Sequence, residues 1–328
     1  MAYFYDMILI TGGTGLVGAY LIEQLLNENQ SLRVLYRTAK KREQLLAFLE
    51  RKGITKTQIH LLEFVQGDLD SAADLFEVTK SVQCVFHCAA LISFDSRDRK
   101  HLFKINSNGT RDLVNAAIEN KVSKFIYISS IAAMEQEQQT DYGKSKQLGE
   151  LEVWRAGQEG VQTFIVRPGV ILGSVPYNHP LRQLIRSVQK GISYQFPGSS
   201  GFIHIRTVVD CLLQLYKTES SIQHPLTLVS TNNSYNDVIE IINANLKRPP
   251  AKKEISKKWL VMLARIVENT NKLLGLKSSL TINLVETLYH KGEYETTSEL
   301  APFKQVKTPE LREMLDDLIE SERYFPMV

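Results

Sequence analysis

At 328 residues the chain is longer than one compact core needs, so two lobes or one enlarged α/β domain is the expectation. A composition that is 43% hydrophobic and 23% charged excludes a disordered chain, and a net charge of +3 is too small for nucleic acid to be the main partner. Three cysteines, Cys84, Cys88 and Cys211, are too few for a disulfide framework and fit a reducing, cytoplasmic setting.

The first apolar stretch is interrupted by Asp6, has no basic leader and runs into glycines, so residues 7–10 read as a strand and not as a signal peptide. A helix follows over 15–27, then a strand over 32–36 and a helix over 41–52. Further β-branched runs predict strands over 61–65, 84–87, 125–129 and 163–166, with helices over 101–120 and 141–156. Repeated strand–helix–strand crossovers imply a parallel sheet covered on both faces. After Arg167-Pro168-Gly169, glycines and prolines punctuate the chain, and helices then dominate to the end. The expected division is residues 1–170 and a smaller, mostly helical lobe over 171–328, with parts of 203–232 returning to the main sheet.

Thr11-Gly12-Gly13-Thr14-Gly15-Leu16-Val17-Gly18 lies between the first strand and the first helix. Gly12 permits the turn, Gly15 lets backbone N–H groups approach a pyrophosphate, and Gly18 lets the helix pack closely. The helix N-terminus offers free N–H donors and partial positive charge to phosphates. This predicts a dinucleotide cofactor on a Rossmann-type, doubly wound parallel sheet. Arg37, nineteen residues after Gly18, stands where NAD-binding chains place a carboxylate for the ribose, and Lys40, Lys41 and Arg42 follow it. A guanidinium attracts a 2′-phosphate, so NADP is favoured over NAD.

Tyr142 and Lys146 are four apart in a helical stretch and share one face. An ammonium near a phenol lowers its pKa from ~10 and suits it to move a proton to or from a carbonyl oxygen. Ser129 and Ser130 close the strand over 125–129, and alternation sends one hydroxyl into the site.

In this order the motifs resemble the extended, epimerase-like branch of the short-chain dehydrogenase/reductases, across roughly the first two hundred residues. Thr11 to Gly18 is similar to that branch's TGxxGxxG turn, Asp68-Leu69 to its acidic-apolar pair beside the adenine, and His87-Cys88-Ala89-Ala90 to its fourth-strand motif. Asn106-Ser107-Asn108-Gly109-Thr110 resembles its NxxGT helix, and Arg167-Pro168-Gly169 its turn beside the nicotinamide. The resemblance implies Tyr142 as general acid or base, Lys146 on the nicotinamide ribose, Ser130 in preference to Ser129 on the substrate oxygen, and Arg37 on the 2′-phosphate. It implies cofactor contacts from Gly12, Thr14, Gly15, Leu16, Val17, Arg37, Asp68, Leu69, Ala89, Ala90, Asn106, Pro168 and Val170 as well as Tyr142 and Lys146.

With Arg37, the chain looks most like dihydroflavonol-reductase-type NADPH-dependent carbonyl reductases. The expected activity is reduction of a ketone or aldehyde, or oxidation of the alcohol. The alternatives are a nucleotide-sugar epimerase or dehydratase with tightly held NAD, and a non-enzymatic dinucleotide sensor. Only eleven residues separate Ser130 from Tyr142, where many members carry a longer, pocket-lining loop, and the second lobe holds no motif for a nucleotide-sugar pocket.

Other polar residues carry duller readings. Cys84 and Cys88 are about ~13 Å apart on an extended strand and cannot share one metal ion, so core packing is expected. His204 is read as either a polar second-lobe residue or a structural histidine, and Tyr177, Tyr194 and Phe196 as core or pocket lining. The polar run 135–140 reads as a rim. The apolar run 259–267 is broken by Arg265 and too short to span a bilayer. Its flanking Lys252, Lys253, Lys257 and Lys258 read as a solvated face in preference to a membrane-surface patch. No membrane partner is expected, and the chain is read as a monomer or a homodimer.

Overall fold

The computed structural model describes residues 7–134, 139–174, 180–191, 194–220, 222, 224–251, 253–278, 280–297 and 309–324. Tyr177, Lys252 and residues 135–138 of the polar run lie outside them.

Strands β1 (Met7–Thr11), β2 (Leu32–Tyr36), β3 (Leu62–Gln66), β4 (Val82–His87), β5 (Lys124–Ile128) and β6 (Gln162–Pro168) alternate with helices α1 (Leu16–Asn27), α2 (Ala39–Arg51), α3 (Lys56–Ile59), α4 (Ala72–Thr79), α5 (Arg99–Phe103), α6 (Gly109–Glu119) and α7 (Asp141–Gln158). The predicted helix over 101–120 is interrupted by a π-helical turn, Lys104–Asn108, between α5 and α6. Then come β7 (Val170–Leu172), α8 (Pro180–Gln189), β8 (Tyr194–Gln195), β9 (Ser199–His204), α9 (Ile205–Lys217), β10 (Leu226–Leu228), β11 (Thr231–Ser234), α10 (Tyr235–Asn245), β12 (Lys253–Glu254), α11 (Lys257–Leu273), α12 (Ile282–Tyr289) and α13 (Leu311–Tyr324).

The main sheet has seven strands in the order β10-β6-β5-β4-β1-β2-β3, every neighbouring pair parallel. Its inner strands are buried on both faces, which is why they read as continuous apolar runs. Ile8, Ile10, Val34 and Phe86 pack with α1, α2 and α9 on one side. Leu9, Val85, Phe125 and Tyr127 pack with α4, α6 and α7 on the other. Cys84 lies within the first of these cores and Cys88 packs against it.

The second lobe is built on a three-stranded sheet, β11-β9-β7, and a two-stranded pair, β12-β8. One apolar core gathers α8, α10 and α13, and a smaller one joins α11 to α12. His204 is structural here: its side chain caps α9 by accepting from Arg206 N at 3.3 Å and faces Asp317 at 3.5 Å. Phe196 packs into the small core edge-on to Tyr289, whereas Tyr194 is exposed.

Because all seven main strands are parallel, their carboxyl ends share one edge. The glycine turn, Arg37, Asp68, Ala89-Ala90, Ser129-Ser130 and Pro168 all follow strands at that edge, where ligands sit in open α/β sheets.

Candidate active site

Two glycines in the turn are fixed by sterics. Gly12 has φ +70, and a Cβ there would stand 2.5 Å from Ala89 N, so the turn lies directly against the segment after β4. A Cβ on Gly18 would stand 2.4 Å from Gly12 O, so α1 rests on the turn. At Gly15 a Cβ would meet only Gly12 O within 4 Å. Gly15 is also the N-cap of α1, has no side-chain cap, and no acid stands in the helix's first turn. An open face with uncapped N–H groups and no competing carboxylate suits a pyrophosphate.

Below the turn, Thr11 Oγ1 meets His87 Nδ1 at 2.6 Å, and His87 Nε2 meets Thr110 Oγ1 at 2.9 Å. Thr110 donates its one hydroxyl proton to Asn106 O at 2.7 Å, so Nε2 carries the ring proton and Nδ1 accepts from Thr11. Burial, with Lys146 nearby, holds His87 well below the ordinary histidine range, so it stays neutral. The network ties β1, β4 and the π-helical turn beneath the groove.

Asn106 is held by protein groups. Its Oδ1 accepts from Leu91 N at 2.8 Å, and its Nδ2 donates to Leu91 O at 2.9 Å and to Ser145 Oγ at 3.0 Å. The amide is almost wholly buried, so Asn106 shapes the segment after Ala90 and braces α7. Leu69 is likewise buried, packing in the core beneath Asp68.

The first turn of α7 is brought to the sheet edge by Gly143, whose absent side chain would lie 2.2 Å from Ala132 O. Thr140 caps the helix by accepting from Gly143 N at 3.1 Å. This approach sets Tyr142 against Ser130, close enough for the serine to draw the phenol pKa down. The choice between the serines is decided on the far side. Ser129 Oγ donates to Glu150 Oε1 at 2.5 Å within the core, whereas Ser130 Oγ faces Tyr142 and accepts from Ala132 N at 3.2 Å.

Lys146 is anchored on the backbone of β5. Its side chain is buried, donates to Ile128 O at 2.6 Å and lies 4.1 Å from the Tyr127 ring centroid. Burial pushes its pKa down to about 7, opposed by Glu150 and Cys88. Burial pushes Tyr142 up to about 12, and Ser130 draws it down. Tyr142 is therefore protonated at neutral pH, the state that a proton donor needs.

The depressed lysine has a consequence for stability. An unfolded lysine titrates near ~10.4, so between about 7 and that value the unfolded chain binds more protons, and this residue makes stability rise with pH. Urea midpoints measured at pH 6.5 and pH 9 should show a larger rise, or a smaller fall, for wild type than for Lys146→Met; equal slopes would rule out the depressed amine.

Glu150 and Arg167 were not singled out by spacing alone. Arg167 Nε and Nη2 grip the two Glu150 carboxylate oxygens at 2.8 and 2.5 Å, with Glu150 almost wholly buried. Glu150 stands four residues after Lys146 on the same helix face, the one signal available from sequence. At the other end of the groove, Arg37 is well exposed, with its guanidinium 4.0 Å from Asp68 Oδ2. Lys41 lies close enough to Arg37 for the two charges to repel, and burial together with that repulsion lowers its pKa. Ala90 is exposed, and Leu16, Val17, Thr14 and Val170 are half-buried.

Comparison with known proteins agrees with this frame. A model of the NAD dependent epimerase/dehydratase family matches residues 8–229. The chain belongs to this family. Among relatives of this epimerase/dehydratase chain, a Synechocystis protein named for dihydroflavonol 4-reductase is 30% identical over 184 residues, 51% of this chain and 50% of that protein. The chain thus spans about half the length of that relative. Tetraketide alpha-pyrone reductase 2 of Arabidopsis thaliana is 24% identical over 280 residues, 76% of this chain and 86% of the plant protein. In fold, the chain is similar to the UDP-glucuronic acid 4-epimerase from Bacillus cereus, whose crystal structure contains UDP-glucuronic acid and NAD. The TM-score is 0.73 at 17% identity, covering 97% of this chain and 99% of the epimerase.

Proposed function

We propose that this chain is an NADPH-dependent reductase of a ketone or aldehyde, with Tyr142 as the proton donor, Ser130 orienting the carbonyl and Lys146 completing the site. The observation that carries the reading is the approach of Ser130 to a protonated Tyr142 at the carboxyl end of β5, where Gly143 seats the first turn of α7 against Ala132. The reductase names of the two sequence relatives support it.

The groove fits a dinucleotide phosphate: an open Gly15 cradle, an uncapped α1 N-terminus, and Arg37 with Lys41 beside the end of β2. Helix α2 adds a first turn without any acid and an N-cap, Thr38, that makes no side-chain cap. Gly12, Thr14, Gly15, Leu16 and Val17 would hold the pyrophosphate, Asp68 the adenosine end, Arg37 the 2′-phosphate, and Ala90, Pro168 and Val170 the nicotinamide end.

When bound, NADPH supplies a hydride to the carbonyl carbon. Tyr142 Oη delivers its proton to the carbonyl oxygen as negative charge grows there, and Ser130 Oγ fixes that oxygen by a hydrogen bond. Lys146, anchored on Ile128 O, keeps a dry wall behind Tyr142 and offers a donor toward the ribose. His87 stays neutral and takes no part in proton transfer.

A panel of carbonyl compounds followed by nicotinamide absorbance, with NADPH and NADH in parallel, tests the reading. Turnover with NADPH supports it. Copurified NAD together with interconversion of UDP-sugars would replace it with the epimerase alternative. Arg37→Ser should raise KM for NADPH about ten- to a hundredfold, the worth of roughly one charge-assisted contact or two, and leave KM for NADH within about twofold. Equal effects on both cofactors would remove Arg37 from the 2′-phosphate.

A further inference from the structure

We propose that the exposed face of α11, with the turn that follows it, docks on an anionic lipid bilayer surface. Helix α11 holds to the protein by one side only: Leu260 and Ala264 are buried against Val285 of α12. On its other side Trp259, Met262, Ile266 and Leu273 stand at offsets of 0, 3, 7 and 14, one stripe of an α-helix, and each is at least 50% exposed. The chain leaves the helix through Leu274, Gly275 and Leu276, so the stripe ends in three successive exposed leucines, Leu273 being 88% exposed. Single exposed apolar residues are ordinary, but a contiguous row of this kind marks an interaction surface.

A second row runs beside the first. Lys258, Arg265 and Lys272 repeat every seven residues along one flank of the stripe, and all three are exposed. Lys277 extends the row past the turn and is 83% exposed, with its amine 3.3 Å from Asp98 Oδ2. The one acid of α11, Glu268, is turned to the packed side, where it accepts from Ile282 N at 3.3 Å. The face is therefore apolar in the middle and cationic along its margin, and α11 itself brings no carboxylate to it.

That pattern selects the occupant. Two copies joined by this face would bring together cationic margins with no acid on that face of either helix to receive them. A bilayer with anionic headgroups takes both parts: the stripe enters the acyl boundary, the tryptophan sits at the interface, and the long cationic side chains reach the phosphates. Among the described residues no helix is long and apolar enough to cross a membrane, so the contact is one of lying on the surface. The lysines around 252–258 alone read as a solvated face; the exposed apolar row beside them changes that reading.

The docking element also touches the candidate site. Asn283 Nδ2 donates to Phe94 O at 3.2 Å, and Ser278 N donates to Asp95 Oδ2 at 3.3 Å, so this helix pair is seated on the segment that follows Ala90.

The chain has two tryptophans, so Trp154→Phe leaves Trp259 as sole reporter. In that background, phosphatidylglycerol–phosphatidylcholine vesicles should shift Trp259 emission to the blue and carry the protein up in flotation, whereas phosphatidylcholine alone or high salt should weaken binding at least tenfold. Ile266→Glu, and separately Arg265→Glu, should each cut association at least tenfold while leaving NADPH binding, the check on folding, intact. The proposal is overturned by any of three results: no association with anionic vesicles at low salt, association unchanged in Ile266→Glu, or Ile266→Glu converting a lipid-free dimer to monomer in sedimentation.

Discussion

Tyr142→Phe should lower kcat for carbonyl reduction about a thousandfold and leave the dissociation constant for NADPH within about threefold. The change removes one oxygen from a half-buried ring on a helix turn that Gly143 seats against Ala132, so the fold has no reason to move. Lost with it are the proton and the contact with Ser130. Because burial raises the phenol to about 12, wild type should keep its donor protonated from pH 6 through pH 9. Ser130→Ala keeps the donor and removes only an orienting bond, so its loss should be smaller, about ten- to a hundredfold. Steady-state rates with NADPH held saturating check both. A Tyr142→Phe enzyme keeping a tenth of wild-type turnover would take the phenol out of the chemistry.

The parts of the fold legible from sequence were those dictated by short-range sterics and periodicity. The glycine turn announces itself because Gly12 needs positive φ and Gly18 must touch the turn, and few side chains other than hydrogen allow either. The strands of the parallel sheet announce themselves as unbroken apolar runs. What spacing alone could not show depended on neighbours far along the chain. Alternation admits one of two adjacent serines, but which one faces the groove is decided by Glu150, twenty-one residues beyond Ser129. Motif resemblance set Asn106 at the cofactor, while its partners are Leu91 and Ser145, fifteen and thirty-nine residues away. Helical spacing brought Tyr142 and Lys146 to one face, but it could not show that Ile128 O takes the amine. The second lobe was least legible because strands of two to six residues carry too little pattern to announce a sheet.

Glu150→Leu should cost about 3 to 5 kcal/mol of stability, the range for stranding one member of a buried ion pair. The carboxylate is almost completely enclosed and meets three donors: Arg167 Nε, Arg167 Nη2 and Ser129 Oγ. Removing it leaves the Arg167 guanidinium largely cut off from water and unpaired, and strips Ser129 of its acceptor. It also removes the opposing charge that holds the Lys146 pKa up, so that amine should fall below about 7 and be neutral through the physiological range. The double variant Glu150→Leu/Arg167→Met should regain most of the loss, because two apolar groups of matching size leave no charge in the core. Chemical denaturation of the four proteins in this cycle supplies the test, with Tyr142-dependent turnover as a second readout. The strands β5 and β6 end beside this pair, so turnover should fall in the single variant and recover in the double if the pair acts by setting the geometry of Ser130 and Pro168. A single variant that loses under 1 kcal/mol would mean that water reaches Arg167 and that the pair is no keystone of the sheet edge.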